Sequence, residues 1–318
     1  MDAQAQPGTL AKLPDGRELN FRCTGSGSPT VILESGFGVG ASGWGRSQPG
    51  IAKTTRVCSY DRAGYGFSTP GPEPRDGAAI ARDLDQGLDA AGIEGPFVVV
   101  GHSAGALYGR LFAARRPGEV QGLVLLDPTV ERLAPPERDG LAGIRRRLQR
   151  CISAAERPQQ PPREDPVWAG CIPARANAEV EAAARRPETW RNQLSELDAI
   201  FGATSSQVAR TRGLLSDLPA YVLTASDTAA ASPTVGQERP QSVWELQHVG
   251  LAATFAHGSQ RTIFSSHIVQ NDRPEVVAEA VAAMVAAARA GKPPAPLPFS
   301  ETAPPDGEPA FPELPRQP

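Results

Sequence analysis

At 318 residues the chain is long enough to bury a full core, and it is longer than one minimal domain needs. A net charge of −3 and a pI near 5.9 offer no basic surface for nucleic acid. No apolar run approaches the length of a membrane span.

The opening Met1-Asp2-Ala3-Gln4-Ala5-Gln6-Pro7 has no charged-then-apolar leader and looks like the small-residue stretch around a cleavage site, with a start methionine before it. An exported protein, periplasmic or secreted, is expected on that ground, with a cytoplasmic one as the alternative. Four cysteines, Cys23, Cys58, Cys151 and Cys171, allow two disulfides, and a bridge between Cys151 and Cys171 would hold the proline-rich loop they bracket. Four reduced thiols in a cytosolic enzyme are the other reading.

Residues 8–13 and 17–24 flank the turn signal Pro14-Asp15-Gly16 and predict a hairpin. The next strand, residues 30–34, ends in the glycine-rich loop Ser35-Gly36-Phe37-Gly38-Val39-Gly40. A short helix from Trp44 to Ile51 and a strand over 56–60 lead into Asp61-Arg62-Ala63-Gly64-Tyr65-Gly66. Ile80, Leu84 and Leu88 recur at helical spacing within 75–91. Phe97-Val98-Val99-Val100 then reads as a strand buried on both faces, followed by a helix over 104–115 and a sixth strand over 120–126. Strands alternating with helices make a mostly parallel, doubly wound sheet, in which ligands collect at the carboxyl ends of the strands.

The pattern changes between residues 130 and 217. Helical segments over 141–155, 177–186 and 188–201 surround the loop 157–173 with no strand among them, which predicts a helical lid over the strand ends. Its Trp168, Trp190, Leu194, Leu197 and Phe201 are candidates for a substrate pocket, although holding the lid's own core is the commoner use of such residues. A strand over 219–224, a helix near 240–256, a strand over 261–264 and a helix over 274–288 complete the pattern. The expected organisation is a core of 1–129 and 218–291, a lid of 130–217, and an extended or disordered proline-rich tail of 292–318.

Gly101-His102-Ser103-Ala104-Gly105 fits G-x-S-x-G between the buried strand and its helix. A strand reversing abruptly into a helix needs small residues beside a strained central one, and Ser103 is left at the tip of the bend. Serine is a weak nucleophile without a base held by a carboxylate. Of four histidines, His102 lies in the elbow and should point away from Ser103, His248 falls within a helix, and His257 lies at a helix end. His267 alone follows a strand end and is the expected base. The order Ser103, Asp227, His267 favours Asp227 as the acid, with Asp127, just past the sixth strand, as the alternative. Backbone N–H groups of Ala104 and Phe37 are the candidate oxyanion donors.

Ser35-Gly36-Phe37-Gly38, Tyr60-Asp61-Arg62-Ala63-Gly64-Tyr65-Gly66-Phe67-Ser68, Gly101-His102-Ser103-Ala104-Gly105 and Ser266-His267-Ile268-Val269-Gln270-Asn271-Asp272-Arg273-Pro274 stand in that order. Together they resemble the α/β-hydrolase fold, in the lidded branch that includes bacterial carboxylesterases, over about Thr9 to Ala288. The resemblance implies an eight-stranded, mostly parallel sheet with a helical lid after the sixth strand. It also implies a triad of Ser103, His267 and Asp227 with Phe37 and Ala104 as the oxyanion pair, and a structural role for the Asp61–Gly66 segment. Many relatives carry His-Gly before the oxyanion residue, where this chain has Ser35-Gly36, so the usual brace of that loop is missing. Relatives that cleave carbon–halogen bonds or epoxides use an aspartate nucleophile, and Ser103 argues against both. The expected activity is hydrolysis of a small-molecule ester with no metal or organic cofactor. The same triad acting on an amide, a peptide N-terminus, a lactone or a carbon–carbon bond is the alternative, and a non-catalytic binding scaffold a third.

Overall fold

The computed structural model describes residues 6–131, 138–173, 176, 178–231, 234–235 and 241–297. The chain opens with an antiparallel hairpin, β1 (Thr9–Lys12) and β2 (Glu18–Thr24), turned at Gly16, whose φ of 86° suits glycine. β3 (Thr30–Glu34), β4 (Val57–Tyr60), β5 (Phe97–His102) and β6 (Val120–Leu126) follow, with α1 (Gln48–Ile51), α2 (Gly77–Ala90) and α3 (Gly105–Arg115) between them. The expected helix from Trp44 to Ile51 is split into a 3-10 turn, Ala41–Trp44, and α1. β3, β4 and β5 are buried throughout; β3 and β5 have the near-continuous apolar, β-branched content this requires, while in β4 the buried Ser59 hydroxyl is satisfied by Gln48 Oε1 at 2.8 Å.

Between β6 and β7 (Pro219–Ala225) the described residues contain helices and no strand: α4 (Arg138–Ala155), α5 (Ala178–Ala184), α6 (Pro187–Ala199), a π turn (Ile200–Thr204) and α7 (Ser205–Thr211). α7 was not legible in its serine-rich sequence. It forms because Val208 is buried and because Thr204 Oγ1 and Gln207 Oε1 accept the Gly77 and Ala78 N–H groups at 2.8 and 2.9 Å, docking it on the start of α2. After β7 come α8 (Ser226–Ala230), a ribbon of β8 (Thr234–Val235) and β9 (Gln241–Ser242), α9 (Val243–Ala252), β10 (His257–Ile263), α10 (Val269–Asp272) and α11 (Pro274–Ala290). His257, expected at a helix end, begins β10 instead, which is four residues longer at its start than the apolar run suggested. Most of the predicted tail, from residue 298 onward, lies outside the described residues.

The main sheet has eight strands in the order β1-β2-β4-β3-β5-β6-β7-β10. Only β2 pairs antiparallel, with β1 and with β4, so β3, β4, β5, β6, β7 and β10 all end at one edge. Each face is covered. Leu84, Leu88, Tyr108 and Phe112 bring α2 and α3 onto one side together with the insert, and Ile51, Val277, Val281 and Met284 bring α1 and α11 onto the other. This layering leaves the carboxyl edge as the place where loops from six strands meet.

Two disulfides close the cysteine inventory. Cys23–Cys58 joins directly opposed residues of β2 and β4, and Cys151–Cys171 ties the end of α4 to the loop before α5. Such bridges form and persist in oxidising surroundings. No helix among the described residues is long and apolar enough to cross a membrane.

Glu131, at the root of the insert, is held from two directions. Buried Arg110 of α3 donates to both its oxygens at 2.6 and 3.0 Å, and Arg212, just after α7, donates to Oε1 at 3.0 and 2.6 Å. Burial raises the carboxyl, but the two guanidinium partners outweigh it and bring Glu131 from 4.5 to about 2. Its folded value is therefore depressed, so the stabilisation is complete above about pH 4.5 and is lost as pH falls towards 2. Replacement by glutamine is expected to cost about 3 kcal/mol at pH 7, because Arg110 stays buried without its counter-charge. Urea melts of both proteins should converge as the pH is lowered.

Candidate active site

β5 delivers Ser103 to the carboxyl edge with φ of 52°, a left-handed conformation that costs a non-glycine residue on the order of 1–3 kcal/mol. The neighbouring glycines make the bend possible. A Cβ on Gly101 would lie 2.7 Å from Ala106 Cα, and one on Gly105 would lie 2.6 Å from Ser35 O, so α3 could not start where it does. The bend is pinned by Ser103 N–H to Leu126 O at 3.0 Å and by Thr129 N–H to Ser103 O at 3.0 Å.

His267 leaves the end of β10 and meets Ser103, its Nε2 lying 3.0 Å from the Ser103 Oγ. Its Nδ1 lies 2.6 Å from Asp127 Oδ2. Asp127 is buried, and the other carboxylate oxygen accepts from Ala225 N–H at 3.0 Å and from the Trp244 indole N–H at 2.8 Å. Burial raises this carboxyl, but the hydrogen bond and charge of His267, the nearby His248 and Trp244 outweigh it and leave it below the usual range. An ionised Asp127 can only accept, so Nδ1 carries the imidazole proton and Nε2 is free to accept from Ser103.

The carboxylate on the imidazole is thus Asp127 and not the favoured Asp227. β6 ends in Asp127 with φ of 39°, a sharp turn that throws its side chain back across the strand ends. β7 instead runs straight into α8, which places Asp227 within a helix, exposed, with its N–H on Ser265 O at 3.2 Å. Which of two strands ends in a turn and which in a helix depends on tertiary packing, and no local signal separates them.

His102 does leave the Ser103 hydroxyl aside, as expected, but it still belongs to the site. Its Nε2 donates to the His267 carbonyl at 2.8 Å, and burial and the neighbouring His267 lower it to about 3, so it is neutral. His248, on α9, donates from Nε2 to Pro128 O at 2.8 Å and accepts from Thr224 Oγ1 at 2.9 Å, packing behind Asp127. Burial holds it below its ordinary value. The sequence pattern places His248 within a helix and gives Trp244 no role; their only shared signal is the i, i+4 spacing on one helix.

Phe37 and Ala104 flank the serine, and among the described residues neither amide has an acceptor in the protein. Gly36 allows this approach, since a Cβ there would lie 3.2 Å from the Ser103 Cβ and 2.8 Å from His102 Nδ1. The glycine loop is braced from within. Ser35 Oγ donates to Gly40 O at 3.0 Å and accepts from Trp44 Nε1 at 2.9 Å, while Asp61 Oδ1 accepts Ala41 N–H at 2.7 Å.

Of the candidate pocket residues, Trp168 and Leu197 are buried within the insert, and the Trp168 N–H is spent on Pro161 O at 3.2 Å. Trp190 lines a cavity of about 290 Å³ between the insert and the Gly38–Gly40 and Gly64–Phe67 loops. Leu194 lines a cleft of about 390 Å³ beside Pro74, and Phe201 packs on the core's edge. Neither space is lined by Ser103 or His267.

A family model described as the alpha/beta hydrolase fold matches residues 29–167. Two solved structures superpose on nearly the whole chain. A haloalkane dehalogenase, DatA from Agrobacterium tumefaciens C58, matches with a TM-score of 0.65 at 17% identity, over 91% of this chain and 99% of that one. A thermophilic esterase from Thermogutta terrifontis matches with a TM-score of 0.57 at 22% identity, over 87% and 97%. The chain has the α/β-hydrolase fold. Among curated proteins, YqjL of Bacillus subtilis is 32% identical over 106 residues, which are 33% of this chain and 42% of that protein. The chain spans less than half the length of the curated relatives it matches. Within the α/β-hydrolase fold the family model takes in the glycine loop, the elbow and Asp127, and it ends before His267.

Proposed function

We propose that the chain is a serine hydrolase that cleaves small carboxylic esters through an acyl-enzyme on Ser103. The observation that carries this reading is the unbroken line from Ser103 Oγ to His267 Nε2 at 3.0 Å and from His267 Nδ1 to Asp127 at 2.6 Å. In the proposed reaction Ser103 Oγ attacks the acyl carbon as its proton passes to His267 Nε2. Asp127 holds the ring in that tautomer and stabilises the imidazolium. The tetrahedral oxyanion is received by the amides of Phe37 and Ala104. Collapse expels the alcohol, which takes the proton from His267, and water repeats the sequence to free the acid and restore Ser103.

In this reading the helices between β6 and β7 act as a lid that selects the substrate, and the two disulfides support export to an oxidising compartment. A serine at the elbow, where carbon–halogen chemistry uses an aspartate, favours acyl transfer over the dehalogenation named for the Agrobacterium relative. A fluorophosphonate probe tests the nucleophile directly. One equivalent is expected on the peptide containing Ser103, and labelling elsewhere, or none, would overturn the assignment.

A further inference from the structure

Arg62, on the loop after β4, is buried and its guanidinium reaches the glycine loop. Nη1 donates to Glu34 Oε1 at 2.9 Å and to Ser35 O at 2.6 Å. Nη2 donates to Gly36 O at 2.8 Å and to Glu196 Oε1 at 2.9 Å. The rings of Tyr65 and Tyr108 face the guanidinium at 4.8 and 5.1 Å, and the Tyr108 hydroxyl donates to the same Glu196 oxygen at 3.0 Å. On the other side of Phe37, the Gly38 N–H donates to the Tyr65 hydroxyl at 3.2 Å. Burial and the charge of Glu196 keep that hydroxyl neutral.

Peptide planarity turns this list into a lever. The Gly36 carbonyl and the Phe37 N–H belong to one rigid unit and point in opposite directions, so whatever fixes the carbonyl oxygen also aims the amide. Arg62 Nη2 fixes it, and the second proton of that nitrogen is taken by Glu196. Glu196 belongs to α6 of the insert, 134 residues further along the chain.

We propose that Glu196 is a positioning residue for the oxyanion site: by holding Arg62 Nη2 from the insert, it aims the Phe37 amide, which is presented correctly only while α6 is seated. The inference rests on reading Ser103 as the nucleophile and the Phe37 N–H as an oxyanion donor. Glu34 remains to balance the charge of Arg62 when Glu196 is removed, so the guanidinium shifts rather than being left unpaired. A role confined to packing the insert would lower stability or raise KM. An aiming role lowers kcat and the affinity for a tetrahedral analogue, and leaves KM alone.

The test uses Glu196→Ala, Glu196→Asp, which keeps the charge but is one methylene too short, and Glu196→Gln, which keeps the reach and an acceptor. With a short-chain nitrophenyl ester, the Ala and Asp variants are expected to lose about 10- to 100-fold in kcat with KM within about twofold. Affinity for an alkylboronic acid should fall by the same factor, and Gln should recover to within about threefold of the parent. A folded Asp variant with unchanged kcat, or a loss confined to KM, overturns the proposal; should Glu196→Ala fail to fold, the Asp and Gln pair decides it. The rate of fluorophosphonate labelling gives the same comparison without a turnover substrate. Ser103→Ala run in parallel separates the two failures. If that variant still turns over, the nucleophile assignment falls; if it is inactive while Glu196→Asp behaves as the parent, only the positioning role falls.

Discussion

Ser103→Ala is expected to lower kcat/KM on a short-chain nitrophenyl ester by about 10⁶-fold, the loss found when a triad nucleophile is removed. What remains, about 10³ above water, would come from binding and from the Phe37 and Ala104 amides proposed to receive the oxyanion, which the substitution leaves in place. The variant should fold, since the bend is held by glycines 101 and 105 and by backbone bonds to Leu126 and Thr129. Ser103→Gly sharpens the result. It should be equally inactive and melt no lower than the alanine variant, because glycine alone adopts a φ of 52° without strain. Loss of activity without loss of the thermal transition separates chemistry from folding; turnover above one-tenth of the parent would remove Ser103 from the reaction.

The second large effect falls on Asp127. Asp127→Asn is expected to cost about 10⁴-fold in kcat, because the new amide can donate to Nδ1 and then turns the proton of His267 towards the serine. Asp227→Asn, at an exposed position on α8, is expected to stay within about twofold of the parent. The pair is informative because sequence order favours the opposite outcome. The Asp127 variant keeps Ala225 and Trp244 as partners for its carbonyl oxygen, so its melting temperature should change little beside its activity. Equal losses in both variants would sink the assignment of Asp127.

What could be read in advance was what local geometry forces. The elbow is visible because only residues without side chains tolerate the approach of α3 to β3, and the parallel core is visible because fully buried strands need long apolar runs. His267 could be placed because it follows a strand end, and strand ends of a parallel sheet share an edge. The carboxylate partner of His267 could not, since Asp127 and Asp227 both follow strands and differ only in whether the backbone turns left-handed or enters a helix. Nor could Glu196, whose contact with Arg62 spans 134 residues and joins two layers. The Ser35 brace was missed for a related reason: its partner Trp44 reads as core until the loop is folded.

The sulfur chemistry of this chain carries an implication for how the two layers relate. Cys151–Cys171 closes a ring wholly inside the insert, Cys23–Cys58 rivets neighbouring strands of the sheet, and no cysteine is left to cross from one to the other. Oxidation therefore hardens each layer separately. The seam between them is joined by ion pairs, hydrogen bonds and packing, with the backbone as its only covalent link, so its strength answers to pH, salt and temperature and not to the redox state of the cysteines.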